Sequence, residues 1–292
     1  MQLYPASSNA PEKPDLWSIR RKSYDLTERG MIMGIINTTP DSFSDGGLYE
    51  SSEAAIHQAI ELENAGASII DFGGESTRPG AENVSVKEEL NRILPVVEKF
   101  VEIRSPKTLI SIDTSKAEVA EAGLAVGADI INDVTGFSDA RMREVAAGSE
   151  CGIIIMHMAG NPRTMQISPN YSNVTAEVIT FLNEQIALCE SEDISRERII
   201  VDPGIGFGKS LDHNLELIRS IPQITELKRP VMIGASRKKF IGEILENDDL
   251  NEREWPTVAL TSYCREQGAT LFRVHSVKQN LDAMLMTEAI IN

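Results

Sequence analysis

With 292 residues, 41% of them hydrophobic, the chain can bury a substantial core as one large α/β domain or two ordinary ones. Its net charge of −16 and pI near 4.8 argue against nucleic acid and anionic membrane surfaces as partners, but not against an anionic small substrate met by locally concentrated cations. No apolar run approaches the roughly 18 residues that span a bilayer, no secretory leader is visible, and the scattered Cys151, Cys189 and Cys264 read as reduced thiols of a cytoplasmic protein.

Residues 1–15 carry Pro5, Pro11 and Pro14 among small polar residues and read as a tail. Residues 16–29 suit a short hairpin, with Leu16-Trp17-Ser18-Ile19 and Tyr24-Asp25-Leu26 around charged turns. From residue 31 short apolar runs recur, at 31–36, 68–71, 108–112, 129–131, 152–156, 198–201, 230–233 and 270–274, giving eight strand candidates. Helical patterns lie between them. Leu90, Ile93, Leu94 and Val97 repeat at i, i+3, i+4, i+7, and Val178, Phe181, Leu182 and Ile186 follow a similar spacing. Ser85-Val86-Lys87-Glu88 and Ser115-Lys116-Ala117-Glu118 read as capping boxes, and Pro95 is expected to kink its helix.

Strand and helix alternate every 33 residues or so, which matches a (β/α)8 TIM barrel better than an open doubly wound sheet. No linker divides the chain, and the polar stretch 247–252 is an insertion between the seventh and eighth strands. The reading is a single domain over residues 30–292, preceded by a tail and hairpin over 1–29.

A barrel gathers its chemistry at the C-terminal ends of its strands. Those positions hold Asn37, Asp71, Asp113, Asn132 with Asp133, His157, Asp202, Ser236-Arg237-Lys238, and Arg273 with His275. Any one of them suits a turn former; eight together point to a site. The sixth is the most telling. Ile199-Ile200-Val201 reads as a buried strand that stops at Asp202, and Pro203-Gly204-Ile205-Gly206-Phe207-Gly208 turns tightly beyond it. An unpaired carboxylate is expensive there unless a ligand offers donors. Gly208-Lys209-Ser210 resembles the tail of a phosphate-binding loop, but Pro203 stands where that pattern needs glycine.

Asp113, Asn132, Asp202 and Lys238 supply two carboxylate acceptors, an amide and a cation. That set suits a flat heterocycle with an N–H edge, because a carboxylate accepts two parallel N–H bonds. Arg273 and His275, two residues apart, form an anion site with the start of the next helix. Asn37 and the acidic loop after it suggest an oxygen-ligated Mg²⁺ that also holds a diphosphate. The Gly-, Ser- and Pro-rich segments 38–50 and 73–84 read as lids. His57 and His213 read as solvated, and His157 as packing more than chemistry.

The motifs Asn37-Thr38-Thr39-Pro40-Asp41-Ser42-Phe43-Ser44-Asp45-Gly46-Gly47, Gly73-Gly74-Glu75-Ser76-Thr77-Arg78-Pro79-Gly80, Ser111-Ile112-Asp113-Thr114, Ile131-Asn132-Asp133-Val134, Asp202–Lys209, Ser236-Arg237-Lys238 and Arg273-Val274-His275 together resemble the dihydropteroate synthases. The match runs in order from about residue 30 onward. The resemblance implies condensation of 7,8-dihydropterin-6-ylmethyl diphosphate with 4-aminobenzoate in folate synthesis, with Mg²⁺, a homodimer and sensitivity to sulfonamides. It implies pterin contacts at Asp113, Asn132, Asp202, Lys238 and Met156. The diphosphate end would be Asn37, Arg78, Arg273 and His275, with Asn37 and Asp45 toward the metal. The aminobenzoate walls would be Phe43, Thr77, Arg78, Pro79 and Phe207. Catalysis would rest on Asp113, Lys238, Arg273, His275 and Arg78.

Two positions depart from that pattern. Lys239 stands where a small hydroxyl residue often meets the aminobenzoate carboxylate, which an ammonium could serve instead or leave by pointing to water, and Ser276 stands where an Asp is common. Two other readings share the barrel. A methyltransferase acting on a methylated pterin needs no diphosphate site, so Arg273-Val274-His275 and Ser236-Arg237-Lys238 argue against it. A non-catalytic pterin binder should have lost loop residues such as Asp45 or Arg78, and both are present.

Overall fold

A computed structural model describes residues 15–38, 47–76, 81, 83–160, 165 and 169–291, with only the backbone for 47–51. Eight parallel strands run β3 (Met31–Asn37), β4 (Ile69–Gly73), β5 (Leu109–Asp113), β6 (Ile130–Asp133), β7 (Gly152–Met156), β8 (Ile199–Asp202), β9 (Met232–Ile233) and β10 (Leu271–Val274). Each expected strand is present. The sheet order is β8-β7-β6-β5-β4-β3-β10-β9, and a parallel bridge between Val201 and Val231 closes it into a barrel. Around it lie α1 (Gly47–Asn64), α2 (Val86–Ile103), α3 (Ala117–Val126), α4 (Ala140–Ala147), α5 (Val174–Ser191), α6 (Leu211–Arg219), α7 (Ile221–Thr225), α8 (Lys239–Leu245), α9 (Glu254–Glu266) and α10 (Val277–Ile291).

The period-two alternation of a strand sets what faces where. On β4, Ile70 and Phe72 point out into the layer shared with the helices, where Ile93, Val97 and Phe100 of α2 meet them. Ile69 points inward. It joins Met33, Leu109, Ile130, Ile154, Ile200, Met232 and Leu271, one residue from each strand, in an apolar plug across the barrel floor.

Residues 16–25 form an antiparallel hairpin of β1 (Leu16–Ile19) and β2 (Lys22–Asp25) that lies against this plug. Trp17 and Ile19 are buried on it, and the Trp17 indole N–H donates to the Arg198 carbonyl at 2.9 Å. Gly152 leaves the space, since a Cβ there would stand 2.8 Å from the indole. The hairpin therefore seals the closed end of the barrel.

Helix starts follow their caps, with one correction. Ser85 accepts from the Glu88 N–H at 3.2 Å and begins α2, which runs on through Pro95. The box expected at Ser115 does not form: α3 starts after Lys116, which makes no side-chain cap bond. Its ammonium reaches Glu75 and Glu89 instead. His213, expected to be solvated, closes a capping box with Ser210 at the start of α6.

Candidate active site

Two residues above the apolar plug, the same inward register places Ile35, Asp71, Ser111, Asn132, Met156, Asp202, Gly234 and Arg273. The change from all-apolar to mostly polar within one layer marks the floor of a site. Arg273 organises it. Its Nε donates to Asp71 Oδ2 at 2.6 Å and its Nη2 to Asp113 Oδ2 at 2.7 Å. Asn132 Nδ2 donates to the same Asp71 oxygen at 3.3 Å.

One guanidinium thus serves two carboxylates. Burial raises the Asp113 carboxyl to about 7, with Arg273 working against it and Asp71 adding to it. Burial pulls the other way on Arg273, but Asp71 and Asp113 outweigh it and hold the guanidinium cationic. Asp71 Oδ1, Asn132 Oδ1 and Ser111 Oγ are fully buried and have no partner among the described residues. Buried acceptors left unmatched are costly, so this floor suits a ligand that brings N–H donors.

Asp202 closes the opposite side, in register with Met156. Its Oδ1 accepts the Gly204 N–H at 2.7 Å. Burial lifts its carboxyl to about 6 against that bond and against the charges of Lys238, Lys209 and Arg273. Glycine at 234 keeps the space between Asp202 and Arg273 open: a Cβ there would lie 3.7 Å from Asp202 Oδ2 and 3.9 Å from Arg273 Cβ. Asp113, Asn132, Asp202 and Arg273 therefore line one interior, and Asp202 feels the field of Lys238.

Lys238 precedes α8 and lays its ammonium 3.8 Å from the centre of the Phe207 ring. Gly206, at φ 83°, lets the turn pass beneath it; a Cβ there would meet Lys238 Cδ at 2.9 Å. Phe207 packs with Val134, Met156 and Met165 as an apolar wall at the mouth. The neighbours of Lys238 diverge. Ser236 Oγ accepts the His275 backbone N–H at 3.2 Å and lies 2.9 Å from His275 Nδ1, which orients that ring, whereas Arg237 turns outward to Glu254.

Lys239 is 84% exposed and reaches Glu243 along its own helix at 3.4 Å. Asn37 ends β3 in register with Gly73, half-buried. Phe43, Asp45, Thr77, Arg78 and Pro79 lie outside the described residues. Asp133 is structural, its carboxylate holding the N–H groups of Thr135 and Phe137 at 2.8 and 2.9 Å. Beside Asp113 a cavity of about 220 Å³ is lined by Glu75, Glu89, Thr114, Lys116 and Val134 among others. Glu75 spans its rim: Oε1 takes the Val84 N–H at 2.9 Å and Oε2 takes Lys116.

Asp71 is the residue that strand-end reading placed at the mouth without giving it work. The signal was its inward parity with Ile69, which puts it in the same layer as Ser111 and Arg273.

Residues 33–275 match the family model described as pterin binding enzyme. The chain is 46% identical over 261 residues to the dihydropteroate synthase of Escherichia coli K12, covering 89% of this chain and 92% of that one. Among solved structures, Xanthomonas albilineans dihydropteroate synthase with 4-aminobenzoic acid superposes with a TM-score of 0.88 at 39% identity, covering 94% of this chain and 98% of the other. The same enzyme in complex with 7,8-dihydropteroate gives 0.82 at 33% identity, with the same coverage.

Proposed function

The chain belongs to the pterin-binding enzyme family, within it to the dihydropteroate synthases, and from that premise we propose how its barrel mouth carries out the condensation of 7,8-dihydropterin-6-ylmethyl diphosphate with 4-aminobenzoate. The observation that supports the proposal most directly is the buried polar layer in which Asp71 and Asp113 share the Arg273 guanidinium, Asp71 and Asn132 each keep an unmatched oxygen, and Asp202 stands within the field of the same cation. A pterin brings N–H donors to this floor. Its 2-amino and ring N–H edge meets Asp202, Asn132 and Asp113 meet the opposite edge, and Lys238 covers the ring near Phe207.

In the reaction the CH₂–O bond breaks first, its electron pair leaving with the diphosphate. The cation that forms spreads into the pterin ring. Ionised Asp113 stabilises it, and Arg273 and His275 face the departing charge, with Arg78 assigned the same work. The aminobenzoate nitrogen then donates its lone pair to form the C–N bond and sheds a proton. Preorganised groups of this kind lower the barrier by about 3–4 kcal/mol each.

Magnesium would be held at Asn37 and Asp45. Asn37 offers an amide oxygen at the end of β3, and among the described residues no three His, Cys, Asp or Glu side chains converge on a metal. An ion of this kind takes few protein ligands and completes its shell with phosphate oxygens and water. Bound there, it would offset charge on the leaving diphosphate.

A second copy of the chain is proposed to cover α8–α10. Trp255 is 74% exposed there, with Ile244, Leu245, Met286 and Ile290 also exposed, an apolar set that a lone subunit leaves in water. Sedimentation of the wild type against Trp255→Glu checks this. Among the described residues no helix is long and apolar enough to cross a membrane, and the three cysteines are buried and unpaired.

A diphosphate-release assay with the pterin diphosphate tests the reaction. Steady-state release that rises with 4-aminobenzoate, with one dihydropteroate formed per diphosphate, is expected; no release, or release with no dihydropteroate formed in the presence of the amine, would overturn the assignment.

A further inference from the structure

We propose that Lys209 is a positioning residue, whose buried ammonium ties the turn after β8 to the turn after β7 and so sets where Phe207, Lys238 and Asp202 stand at the barrel mouth. The inference rests on the pterin reading of that mouth, and it concerns the lysine whose local sequence imitates a phosphate-binding loop.

Lys209 cannot present its charge to a phosphate in solution, because it is 3% exposed. Its Nζ lies 3.1 Å from His157 Nδ1, 3.3 Å from the His157 carbonyl and 2.9 Å from the Phe207 carbonyl. An ammonium has three hydrogens, and three acceptors surround this one. Such full coordination is what makes an inward lysine tolerable, since a buried charge without it is strongly unfavourable.

The partners are themselves fixed. Beside the Lys209 ammonium His157 accepts at Nδ1, which puts its proton on Nε2, and burial together with the Lys209 charge holds the ring neutral, down to about 3. Its ring stands edge-on to Phe181, with centroids 5.0 Å apart, and 6.1 Å from Tyr171. Tyr171 in turn donates its hydroxyl to the Gly208 carbonyl at 2.9 Å. The two turns touch backbone to backbone: a Cβ on Gly204 would sit 1.9 Å from the His157 carbonyl oxygen.

From this joint two lines lead to the site. The Phe207 carbonyl held by Lys209 fixes the ring on which Lys238 rests. Gly204, pressed on His157, donates its N–H to Asp202. Burial draws the Lys209 amine down to about 7 while Asp202 works against it, so the protonated lysine and the Asp202 carboxylate favour each other's charge. Holding binding groups by packing and hydrogen bonds from behind is what keeps a site within reach of its productive geometry.

The test is Lys209→Met, with a 6-hydroxymethylpterin probe in calorimetry and 4-aminobenzoate kinetics on the same preparation. The pterin dissociation constant is expected to rise tenfold or more in the folded variant. A variant with a lower unfolding midpoint but unchanged pterin affinity and unchanged KM would overturn the proposal and leave Lys209 a stability residue. Should the variant not fold, nitrogen chemical shifts of His157 in the wild type decide. They are expected to show an unprotonated Nδ1 accepting a hydrogen bond throughout pH 5–8. A ring that titrates in that range, or carries its proton on Nδ1, overturns the assignment. Wild-type protein that binds no pterin would sink the pterin reading instead, and the His157 shifts would still judge Lys209.

Discussion

Arg273 and Asp113 are joined at 2.7 Å between Nη2 and Oδ2, while the Nε of the same guanidinium holds Asp71 at 2.6 Å. Half of the cation assigned to the leaving group is therefore already spent on holding the floor together. Arg273→Ala leaves two buried carboxylates without their cation, a change that costs about 3–5 kcal/mol. Urea unfolding should register that loss, and turnover should fall by about 10²–10³-fold. Adding Asp71→Asn should recover stability but not turnover. A single variant within 1 kcal/mol of wild type would contradict the shared-guanidinium account.

The two carboxylates assigned to the pterin also set a pH dependence. Burial lifts Asp202 to about 6 and Asp113 to about 7, both above the 3.8 of a free aspartate. Groups raised in this way stabilise the fold fully below pH about 4, and that contribution is lost as the pH climbs through 6 and 7. A ligand that donates N–H bonds reverses the sign, because it needs the ionised form. Pterin binding at pH 6 should then release protons, and affinity should rise from pH 5.5 to 8. Calorimetry in buffers of different ionisation enthalpy measures the release. Asp202→Asn retains an oxygen for the Gly204 N–H, so it should fold, lose the step near pH 6 and bind about 100-fold or more weakly. Unchanged affinity in that variant contradicts the assignment of Asp202.

Much of this was legible in the sequence for a simple reason. Parallel strands buried on both faces leave unbroken apolar runs, and each run here ends where a polar residue begins, so the barrel and its rim could be counted off together. What escaped depended on distance between strands. Nothing in the stretch around Asp71 says that one arginine, 202 residues later, would fork across to it and to Asp113 at once. Lys209 was read by what its neighbours resemble, whereas burial decides its role. Ser115 had the right spacing for a cap but lost to Lys116, whose two carboxylate partners come from β4's loop and α2. The residues from 16 onward had a hairpin pattern and no visible purpose until the barrel floor gave Trp17 a place to lie.

The glycines after β8 make unequal demands. Gly204 and Gly206 both take left-handed φ values, 69° and 83°, which disfavours any side chain by about 1–2 kcal/mol. Their surroundings differ more. At 204 a new methyl would overlap the His157 carbonyl at 1.9 Å, and backbone cannot yield as a side chain can. At 206 it would meet Lys238 Cδ at 2.9 Å, the middle of a flexible chain. Gly204→Ala is expected to be the more destabilising, with little soluble protein recovered. Gly206→Ala should fold with a modest loss and weaken pterin binding by displacing Lys238. Thermal unfolding and pterin calorimetry on the pair decide, and the reverse order would refute this account of the turn.

The hairpin at the closed end separates stability from chemistry. Trp17 has no exposed surface and contacts the plug formed by the eight strands, with its indole N–H held by the Arg198 carbonyl. Truncating a buried tryptophan costs about 3–5 kcal/mol, partly through lost apolar burial and partly through the cavity left behind. Trp17→Ala removes that contact at the face of the barrel opposite the mouth, where no substrate group is assigned. The variant should therefore unfold at lower urea concentration, yet keep wild-type kcat and KM at temperatures where it remains folded. Stability within 1 kcal/mol of wild type would show that the hairpin only decorates the barrel. A changed KM in fully folded protein would mean that the floor and the mouth are coupled through the strands, which the single inward layer of Ile69, Ile154 and Ile200 beneath Asp71, Met156 and Asp202 gives no reason to expect.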